Sequence, residues 1–325
     1  MNLALFLGGL LLLLGGGRIL VSGSIDLARR LNVPQLLVGL TIVAWGTSAP
    51  ELAFNLTAAL QNKPDLIFGN IVGANISNLG LVLGISALIT PLAVASEIVR
   101  REIPLMIGMF ALFAVLASGS HLADAAGGRL EGLLLLTAFA IYTGFAIQSG
   151  LRAKPADAPI EQQTSAAEIV INAPQTLWLS ITMIVGGLAL LGIGGNLAAG
   201  GATGMAQSLG LSDRVIGLTV VAVGTTLPEL ITSITAVLRK QTDLAVGNAV
   251  GSCLFNAGLI YGVCGLIVPA EVPADGRMAV GAMLLLGVLL WPMSKTFNAH
   301  IARVEGGALL AIYCITIAIE LLRGG

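Results

Sequence analysis

The strongest constraint on the fold of this 325-residue chain is an internal repeat in which each copy carries one glutamate. Residues 37–84 align with residues 215–262 without gaps, and about half of the aligned positions are identical. "VGLTIVAWGTSAPEL" faces "IGLTVVAVGTTLPEL", and "DLIFGNIVGANISN" faces "DLAVGNAVGSCLFN". The identical positions include Thr, Pro, Glu, Asp and Asn, which a shared apolar composition would not produce. The chain is therefore predicted to consist of two related halves.

The composition around the repeat is that of a membrane protein. Hydrophobic residues make up 56% of the chain and charged residues only 10%, whereas a soluble domain has about 25% charged residues. A helix needs about 20 mostly apolar residues to cross a bilayer. The sequence then predicts ten spans, at residues 2–22, 35–60, 66–88, 103–119, 130–149, 176–199, 214–238, 244–267, 278–293 and 302–322. The net charge of −1 provides no basic surface for nucleic acid.

The order of these spans predicts that the two halves cross the membrane in opposite directions. Five spans separate corresponding points of the two copies, and an odd number reverses the sense of crossing. Inverted repeats of this kind recur in transporters. We predict an all-α membrane protein of ten transmembrane helices in two inverted-topology repeats of five, residues 1–149 and 176–325. The polar segment 150–175, rich in Pro, Ala and acidic residues, is predicted to be the linker between them.

The basic residues predict the orientation of the chain, because cytoplasmic loops carry an excess of Lys and Arg. The odd-numbered loops hold Arg29, Arg30, Arg100, Arg101, Arg152, Lys154, Arg239, Lys240, Lys295 and Arg303. The even-numbered loops and the C-terminus hold Lys63, Arg129, Arg214, Arg277 and Arg323. We therefore expect the odd loops and the linker in the cytoplasm and both termini outside.

Two prolines predict irregular backbone within the membrane. Pro50 and Pro228 fall in mid-span, where a proline removes one helical hydrogen bond and displaces a carbonyl one turn earlier. Such backbone is tolerated at membrane depth only when it is buried in protein or lines a cavity. Broken helices with free carbonyls are also how transporters coordinate small cations. We accordingly predict that helices 2, 3, 7 and 8 are broken and form an ion site.

The side chains of the repeat predict a site for hard cations. They are Glu51, Glu229, Thr47, Ser48, Thr225, Thr226, Asn70, Asn78, Asn248, Ser252 and Asn256. All of them offer oxygen, the ligand that calcium, magnesium and alkali ions prefer. A charge at the bilayer centre costs about 2.5–3.5 kcal/mol even on lenient scales, so the two glutamates are either protonated or neutralised by cations. The hydroxyl groups have an alternative role, which is to hydrogen-bond the backbone of the helix that proline breaks. The asparagines have the alternative role of forming hydrogen bonds between helices.

The repeat motif resembles that of the calcium/cation antiporter superfamily, and of the sodium/calcium exchangers of bacteria and archaea in particular. The family pattern G-[ST]-[ST]-x-P-E with G-N-x-x-G-[SA]-N-x-x-[ND] reads here "GTSAPE" with "GNIVGANISN" and "GTTLPE" with "GNAVGSCLFN". The resemblance implies that Glu51 and Glu229 ligate calcium and share sodium. It also implies that the backbone carbonyls of Thr47 and Thr225 ligate calcium. Sodium would be bound by the backbone carbonyls of Ala44 and Ala222 and by the side chains of Ser48, Thr226 and Ser252. Asn78 and Asn256 would flank the central position.

The sequence departs from the family pattern at three positions. Ala74 stands where the family often has serine, so one flanking sodium site lacks a hydroxyl. Cys253 replaces the usual asparagine, and Asn256 replaces an aspartate, which argues against a potassium-dependent mode. These departures leave sodium and protons both open as the counter-ion.

The function expected from the resemblance is antiport of calcium against sodium in the inner membrane of a prokaryote. A calcium/proton antiporter is the first alternative, and a passive cation channel is a weaker one because polarity occurs only at the two mid-membrane motifs. An enzyme is not expected, since no activated nucleophile is apparent. The resemblance implies no cofactor and no protein partner. The transported ligands are calcium and sodium ions, or protons, and membrane lipid surrounds the protein.

Overall fold

The computed structural model describes residues 2–31, 33–117, 129–152, 176–208, 222–268 and 276–324, and nearly all of them are helical. In chain order the helices are α1 (Asn2–Leu31), α2 (35–47), α3 (Ala49–Leu60), α4 (Pro64–Ile89), α5 (98–117), α6 (Arg129–Arg152), α7 (Leu177–Ser208), α8 (Ala222–Leu238), α9 (Thr242–Ile267), α10 (Arg277–Met293), α11 (Thr296–Ala299) and α12 (Arg303–Gly324). Two short antiparallel strands, β1 (Leu92–Ala93) and β2 (His300–Ile301), join the segment after α4 to the one before α12.

The chain is a helical membrane protein. Within the described residues, five helices are long and apolar enough to cross a membrane, and the bent pair α2 and α3 makes a sixth. Every one of the ten predicted spans overlaps a described helix, although the start of the span predicted at 214–238 and the last residues of the span at 103–119 lie outside the described residues. The full count of ten crossings stays a prediction.

Helices α4 and α9 form the centre of the protein. Of the most apolar 18-residue window in each, 78% is buried, compared with 28–33% for α1, α6 and α7. These two helices carry the second half of the repeated motif. The outer helices are apolar on the side away from the protein, as expected for surfaces in contact with lipid. Most residues in the central part of α4 and α9 are thus shielded from both lipid and water.

Glycines let the outer helices approach the centre closely. Gly80 and Gly84 of α4 pack against α12, where a Cβ on Gly84 would lie 3.0 Å from the Gly306 carbonyl oxygen. The corresponding Gly258 and Gly262 of α9 pack against α6. Small residues at helix interfaces are the usual means of close packing in lipid, where no hydrophobic effect drives helices together.

The same 178-residue offset that aligns 37–84 with 215–262 extends to α1 and α7. These two helices pack antiparallel along a seam of six glycines at seven-residue intervals, Gly9, Gly16 and Gly23 of α1 and Gly187, Gly194 and Gly201 of α7. A Cβ on Gly16 would lie 2.9 Å from the Gly187 carbonyl oxygen, and a Cβ on Gly187 would lie 2.9 Å from the Gly16 carbonyl oxygen. The two backbones are therefore in direct contact. We call this interface the glycine seam.

Candidate cation-binding site

The site begins at a break between α2 and α3. The two helices are bent by 46°, and Ser48 lies at the break with φ −85° and ψ 8°. Pro50 occupies the first turn of α3, where its missing N–H costs nothing because the first turn has no intrahelical acceptor. The predicted break of helix 2 is confirmed.

The breaks predicted for helices 3, 7 and 8 are not seen in the described residues, where these helices are continuous. Helix α8 runs without interruption through Pro228 from its first described residue. Helices α4 and α9 are also continuous, and each contains one wider π-helical turn, Ser77–Val82 and Phe255–Ile260. Turns of this kind insert one residue into a helix and are frequent at functional sites. The motif asparagines Asn78 and Asn256 are the second residues of the two π turns.

Hydroxyl groups from both repeats meet beside the glutamate of the second repeat. The Ser48 hydroxyl lies 2.8 Å from Oε1 of Glu229 and 2.9 Å from the Ser252 hydroxyl. The Ser252 hydroxyl lies 3.4 Å from the Ala44 carbonyl oxygen, and the Thr47 hydroxyl lies 3.3 Å from the same oxygen. We call these five residues the Ser252 cluster. It joins α2 of the first repeat to α8 and α9 of the second.

Both glutamates are buried without a basic partner in the described part of the chain. Glu51 is 2% exposed and Glu229 is fully buried, and they are close enough to interact electrostatically. Thr225 hydrogen-bonds the Glu51 carboxylate. Oε2 of each glutamate lacks a hydrogen-bond partner among the described residues. The ion pairs formed within those residues, Arg30–Asp26 and Arg101–Glu102, involve neither glutamate.

The two motif asparagines of the π turns also present unused polar atoms. Asn78 and Asn256 are each 1% exposed. Oδ1 of Asn78 and both side-chain polar atoms of Asn256 have no hydrogen-bond partner within the described ranges. Since buried polar groups are nearly always satisfied, these atoms are available to a ligand or to ordered water. Carboxylate and amide oxygens together form a donor set for a hard cation.

The other predicted ligands differ in how deeply the structure buries them. Thr47, Ser48, Ala44, Thr226 and Ser252 are buried, whereas Thr225 is half-buried. Ala222 is the first described residue of α8, and its side chain lies outside the description.

Position 253 departs from the family pattern at a central point of the fold. Its counterpart in the first repeat is Asn75, and the Cys253 thiol lies 3.9 Å from the Asn75 carbonyl oxygen. Corresponding positions of the two repeats therefore meet where α4 and α9 pack against each other. Both residues are fully buried.

Two polar residues of the site, Asn55 and Ser233, were absent from the sequence prediction. Each lies four residues after a glutamate and is fully buried. Nδ2 of Asn55 donates to the Glu51 carbonyl at 2.8 Å, and Ser233 accepts a hydrogen bond from Asn248 at 3.0 Å. The signal that identifies them is polarity at equivalent positions of both repeats on the helical face that carries the glutamate.

A crevice of about 820 Å³ reaches the helix break from the protein surface. Its lining includes Gly46 and Pro50 at the break, Leu188 and Asn196 of α7, and Gln61 and Lys63 at the turn between α3 and α4. The turn residues are exposed, and the break residues adjoin Thr47 and Ser48. The crevice thus extends from the loop between α3 and α4 to the helix break, and none of the predicted ligand residues lines it.

Comparison with known proteins identifies the family. The family model described as "Sodium/calcium exchanger protein" matches residues 1–148 and 179–322. The chain is 38% identical over 310 residues to "Putative antiporter CaxA" of Alkalimonas amylolytica, covering 94% of each chain. It is 34% identical over 290 residues to "Inner membrane protein YrbG" of Escherichia coli (strain K12), covering 88% of this chain and 86% of that one.

A solved structure shows the same fold. The sodium-calcium exchanger NCX_Mj, soaked with Na⁺ and Ca²⁺, superposes with a TM-score of 0.81 and 31% sequence identity. The match covers 98% of this chain and 97% of that one. The relatives are membrane proteins, which agrees with the apolar helices of this chain. The chain is therefore a multi-pass integral membrane protein that belongs to the sodium/calcium exchanger protein family, a family of cation antiporters and not of catalytic enzymes.

Proposed function

We propose that this protein exchanges calcium for sodium across the membrane by alternating access. Calcium binds between the Glu51 and Glu229 carboxylates, with the backbone carbonyls of Thr47 and Thr225. The sodium positions lie on either side of the calcium position, and the two kinds of ion use the same glutamates at different times. The sodium ligands are the Ala44 and Ala222 carbonyls and the side chains of Ser48, Thr226 and Ser252, while Asn78 and Asn256 flank the centre. The transported ions are substrates, so no resident cofactor or protein partner is required.

The observation that carries this proposal is the Ser252 cluster. Ser48 lies 2.8 Å from Glu229 and 2.9 Å from Ser252, so oxygens of both repeats converge on one buried point. Five oxygen-bearing groups converge there, and no basic side chain of the described residues joins them, an arrangement suited to a small cation. A cluster that served only to join helices would leave an ionised Glu229 uncompensated, and a bound cation removes that cost.

The charge of the two glutamates explains why binding of the two ions is competitive. Two carboxylates balance one divalent cation or two monovalent cations. A site that holds either set, but not both, exchanges one for the other when it opens alternately to the two sides. An empty site with two ionised glutamates in the membrane is costly, and this cost opposes leakage of the empty carrier.

The domain arrangement forms part of the proposal. Residues 1–149 and 176–325 are the two inverted five-helix repeats, and the linker 150–175 is cytoplasmic. With the predicted orientation, the turn between α3 and α4 lies outside the cell. The crevice lined by Gln61 and Lys63 then lies on the outer side of the membrane.

Calcium/proton antiport is the second candidate, and one observation favours it. Ala74 has no side-chain oxygen, so the first repeat lacks the counterpart of the Ser252 hydroxyl. A proton requires no such ligand, since it neutralises a carboxylate directly. Glu51 and Glu229 would then carry the exchanged protons.

The experiment that tests the proposal is calcium uptake into proteoliposomes containing the purified protein. Vesicles loaded with sodium and diluted into sodium-free calcium buffer should accumulate calcium, because the outward sodium gradient drives exchange. Vesicles with a proton gradient alone and no sodium should not. Uptake driven by the proton gradient and indifferent to sodium would replace the first proposal with the second. Uptake with neither gradient, and without acceleration by internal calcium, would indicate a channel.

A further inference from the structure

The two repeats differ in how closely the pair α1 and α7 packs against them. Ala53 and Thr57 of α3 line the crevice of about 820 Å³, and Thr57 is exposed. Their counterparts at the 178-residue offset are Ile231 and Thr235 of α8. A Cβ on Gly17 of α1 would lie 3.0 Å from Cγ2 of Ile231 and 3.3 Å from the Thr235 hydroxyl oxygen. The surface at Ala53 and Thr57, the α3 face, is therefore open, whereas the surface at Ile231 and Thr235, the α8 face, is closed by α1.

A polar contact between the two repeats lies beside the closed α8 face. Arg239, which directly follows α8, donates a hydrogen bond to the Ser22 hydroxyl of α1. The Ser22 hydroxyl itself donates to the Arg18 carbonyl oxygen at 2.8 Å, so its oxygen can accept from the guanidinium. Hydrogen bonds that involve a charged group are stronger than those between neutral groups. We call the contact between Ser22 and Arg239 the Arg239 latch.

The open α3 face has the same backbone but different side chains at these positions. The counterpart of Arg239 is Gln61, which is exposed, and the counterpart of Ser22 is Gly200, which has no hydroxyl. The turns that follow α3 and α8 are alike, because Asn62 and Lys240 occupy equivalent positions with φ 56° and 58°. A Cβ on Gly200 would meet nothing within 4 Å. The two ends of the protein thus differ here in side chains and not in the course of the turn.

Alternating access requires a second arrangement, in which the α3 face is closed and the α8 face is open. If the two inverted repeats were identical, the two arrangements would have equal free energy, because each is the other with the repeats exchanged. The equilibrium between them therefore depends on positions at which the repeats differ. Ser22 and Arg239 are two such positions, and they lie where one of the two faces closes.

We infer that the Arg239 latch holds the α8 face closed at rest and biases the exchanger toward the arrangement described above. The latch breaks when the α8 face opens. Closure of the α3 face forms no equivalent hydrogen bond, because Gly200 offers no acceptor side chain to position 61. This inference rests on the alternating access of the proposed function, and it adds the residue pair that sets which face is open at rest.

Two repeat-related cysteine reporters test the inference. The exposed Cys314 is first replaced by serine, which leaves only the buried Cys253 and Cys264. Thr57→Cys then reports on the α3 face, and Thr235→Cys reports on the α8 face. The initial rate of alkylation by a small maleimide is measured for each reporter in detergent, without sodium or calcium. The Thr57→Cys reporter should react faster than the Thr235→Cys reporter.

Arg239→Gln removes the latch by giving position 239 the residue that its counterpart Gln61 has. The alkylation rate of Thr235→Cys should rise about tenfold, the factor that about 1.4 kcal/mol of lost stabilisation produces. Lys240→Asn is the matched control, since it removes the same charge one residue later and introduces the residue of its counterpart Asn62. Both reporters should keep their original rates in this control.

A transplanted latch separates a conformational role from a local contact. Gln61→Arg with Gly200→Ser supplies the two latch residues to the α3 face, where the space at Gly200 accommodates the serine. Combined with Arg239→Gln, this pair should raise the rate of Thr235→Cys about tenfold further and lower the rate of Thr57→Cys. Loosened packing around Arg239 would not respond to substitutions at the α3 face, which is predicted to lie toward the other side of the membrane.

The outcomes distinguish this inference from the proposed function. A rate at Thr235→Cys that rises with Arg239→Gln, and again with the transplanted latch, supports the inference. Rates in Arg239→Gln that equal those in Lys240→Asn refute it, as does a transplant that changes only Thr57→Cys. Calcium uptake by sodium-loaded proteoliposomes tests the proposed function separately. Uptake by the wild type together with unresponsive reporters refutes the inference alone, whereas a wild type without uptake refutes the proposed function, and the inference falls with it.

Discussion

Removal of the Ser252 hydroxyl is the most direct perturbation of the proposed sodium site. This hydroxyl lies 2.9 Å from Ser48 and 3.4 Å from the Ala44 carbonyl, at the centre of the Ser252 cluster. Ser252→Ala gives this position of the second repeat the residue that its counterpart in the first repeat, Ala74, already has. The change leaves the carboxylates in place, so calcium binding should be little affected.

The expected loss of sodium affinity in Ser252→Ala follows from the number of ligands that the substitution removes. One neutral oxygen is removed from a monovalent ion, and the loss of a hydrogen bond to a charged group, used as a stand-in, costs about 1.5–3 kcal/mol. That free energy corresponds to about one to two orders of magnitude in sodium affinity. The converse change, Ala74→Ser, adds an oxygen at the equivalent position and should strengthen the sodium dependence. If a water molecule already replaces the missing ligand, this gain should be smaller than the loss caused by Ser252→Ala.

The assay is calcium uptake into sodium-loaded proteoliposomes, measured as initial rate against internal sodium concentration. Ser252→Ala should shift the half-saturating sodium concentration upward with a similar maximal rate. Ser252→Thr, which retains the hydroxyl, is the matched control. Sodium dependence that does not change in either Ser252→Ala or Ala74→Ser would refute the assignment of these positions to a sodium site.

The remaining predictions concern the glutamates, the topology and the glycine seam. Glu51→Gln and Glu229→Gln should each reduce calcium uptake to background while the protein inserts and elutes as the wild type does, because each removes a charge that calcium requires; full uptake by either variant would overturn the site. A reporter enzyme fused to the C-terminus should be active only outside the cytoplasm, and cytoplasmic activity would reverse the predicted orientation. Gly16→Ala should lower the thermal unfolding midpoint, since its Cβ would lie 2.9 Å from the Gly187 carbonyl, at a cost of about 1–3 kcal/mol for overpacking. The neighbouring Gly15→Ala has nothing within 4 Å of its Cβ and should be neutral, so equal midpoints for the two variants would contradict direct backbone contact at the seam.

The positions of the helices could be predicted well because lipid imposes a simple rule on sequence. A spanning helix must be apolar over its length, so α1, α4 and α9 are visible as uninterrupted apolar stretches. The two glutamates could also be identified from the sequence, because a charged side chain inside an apolar span is costly and therefore indicates a functional site. The family resemblance was predicted from the motifs that contain these glutamates, and the family model that matches residues 1–148 and 179–322 confirms it.

The local course of the backbone was harder to predict. Pro50 begins a new helix after a break, whereas Pro228 lies inside a continuous one, although "GTSAPE" and "GTTLPE" differ little. The π turns of α4 and α9 each add one residue to a turn, a change that leaves no pattern in apolarity. These features depend on how neighbouring helices satisfy the freed backbone groups, which a single sequence does not specify.

The pairing of side chains was beyond sequence reasoning for a similar reason. Asn70 and Asn248 were recognisable as repeated polar residues, but their partners Asn55 and Ser233 sit fifteen residues earlier on another helix. Only the approach of α3 to α4 and of α8 to α9 brings them together.

The glycine seam has a consequence for the origin of the chain. Gly16 faces Gly187, which is the counterpart of Gly9, and Gly9 faces Gly194, which is the counterpart of Gly16. One and the same surface of each half is therefore buried against its own counterpart. Reciprocal contact of identical patches is the defining property of an isologous two-fold dimer interface. A half-length ancestor with this glycine face could bury it against a second copy of itself, provided that the two copies entered the membrane in opposite orientations. Gene duplication and fusion would then have fixed one orientation for each half, after which positions such as Ala74 and Ser252, or Asn55 and Ser233, were free to diverge.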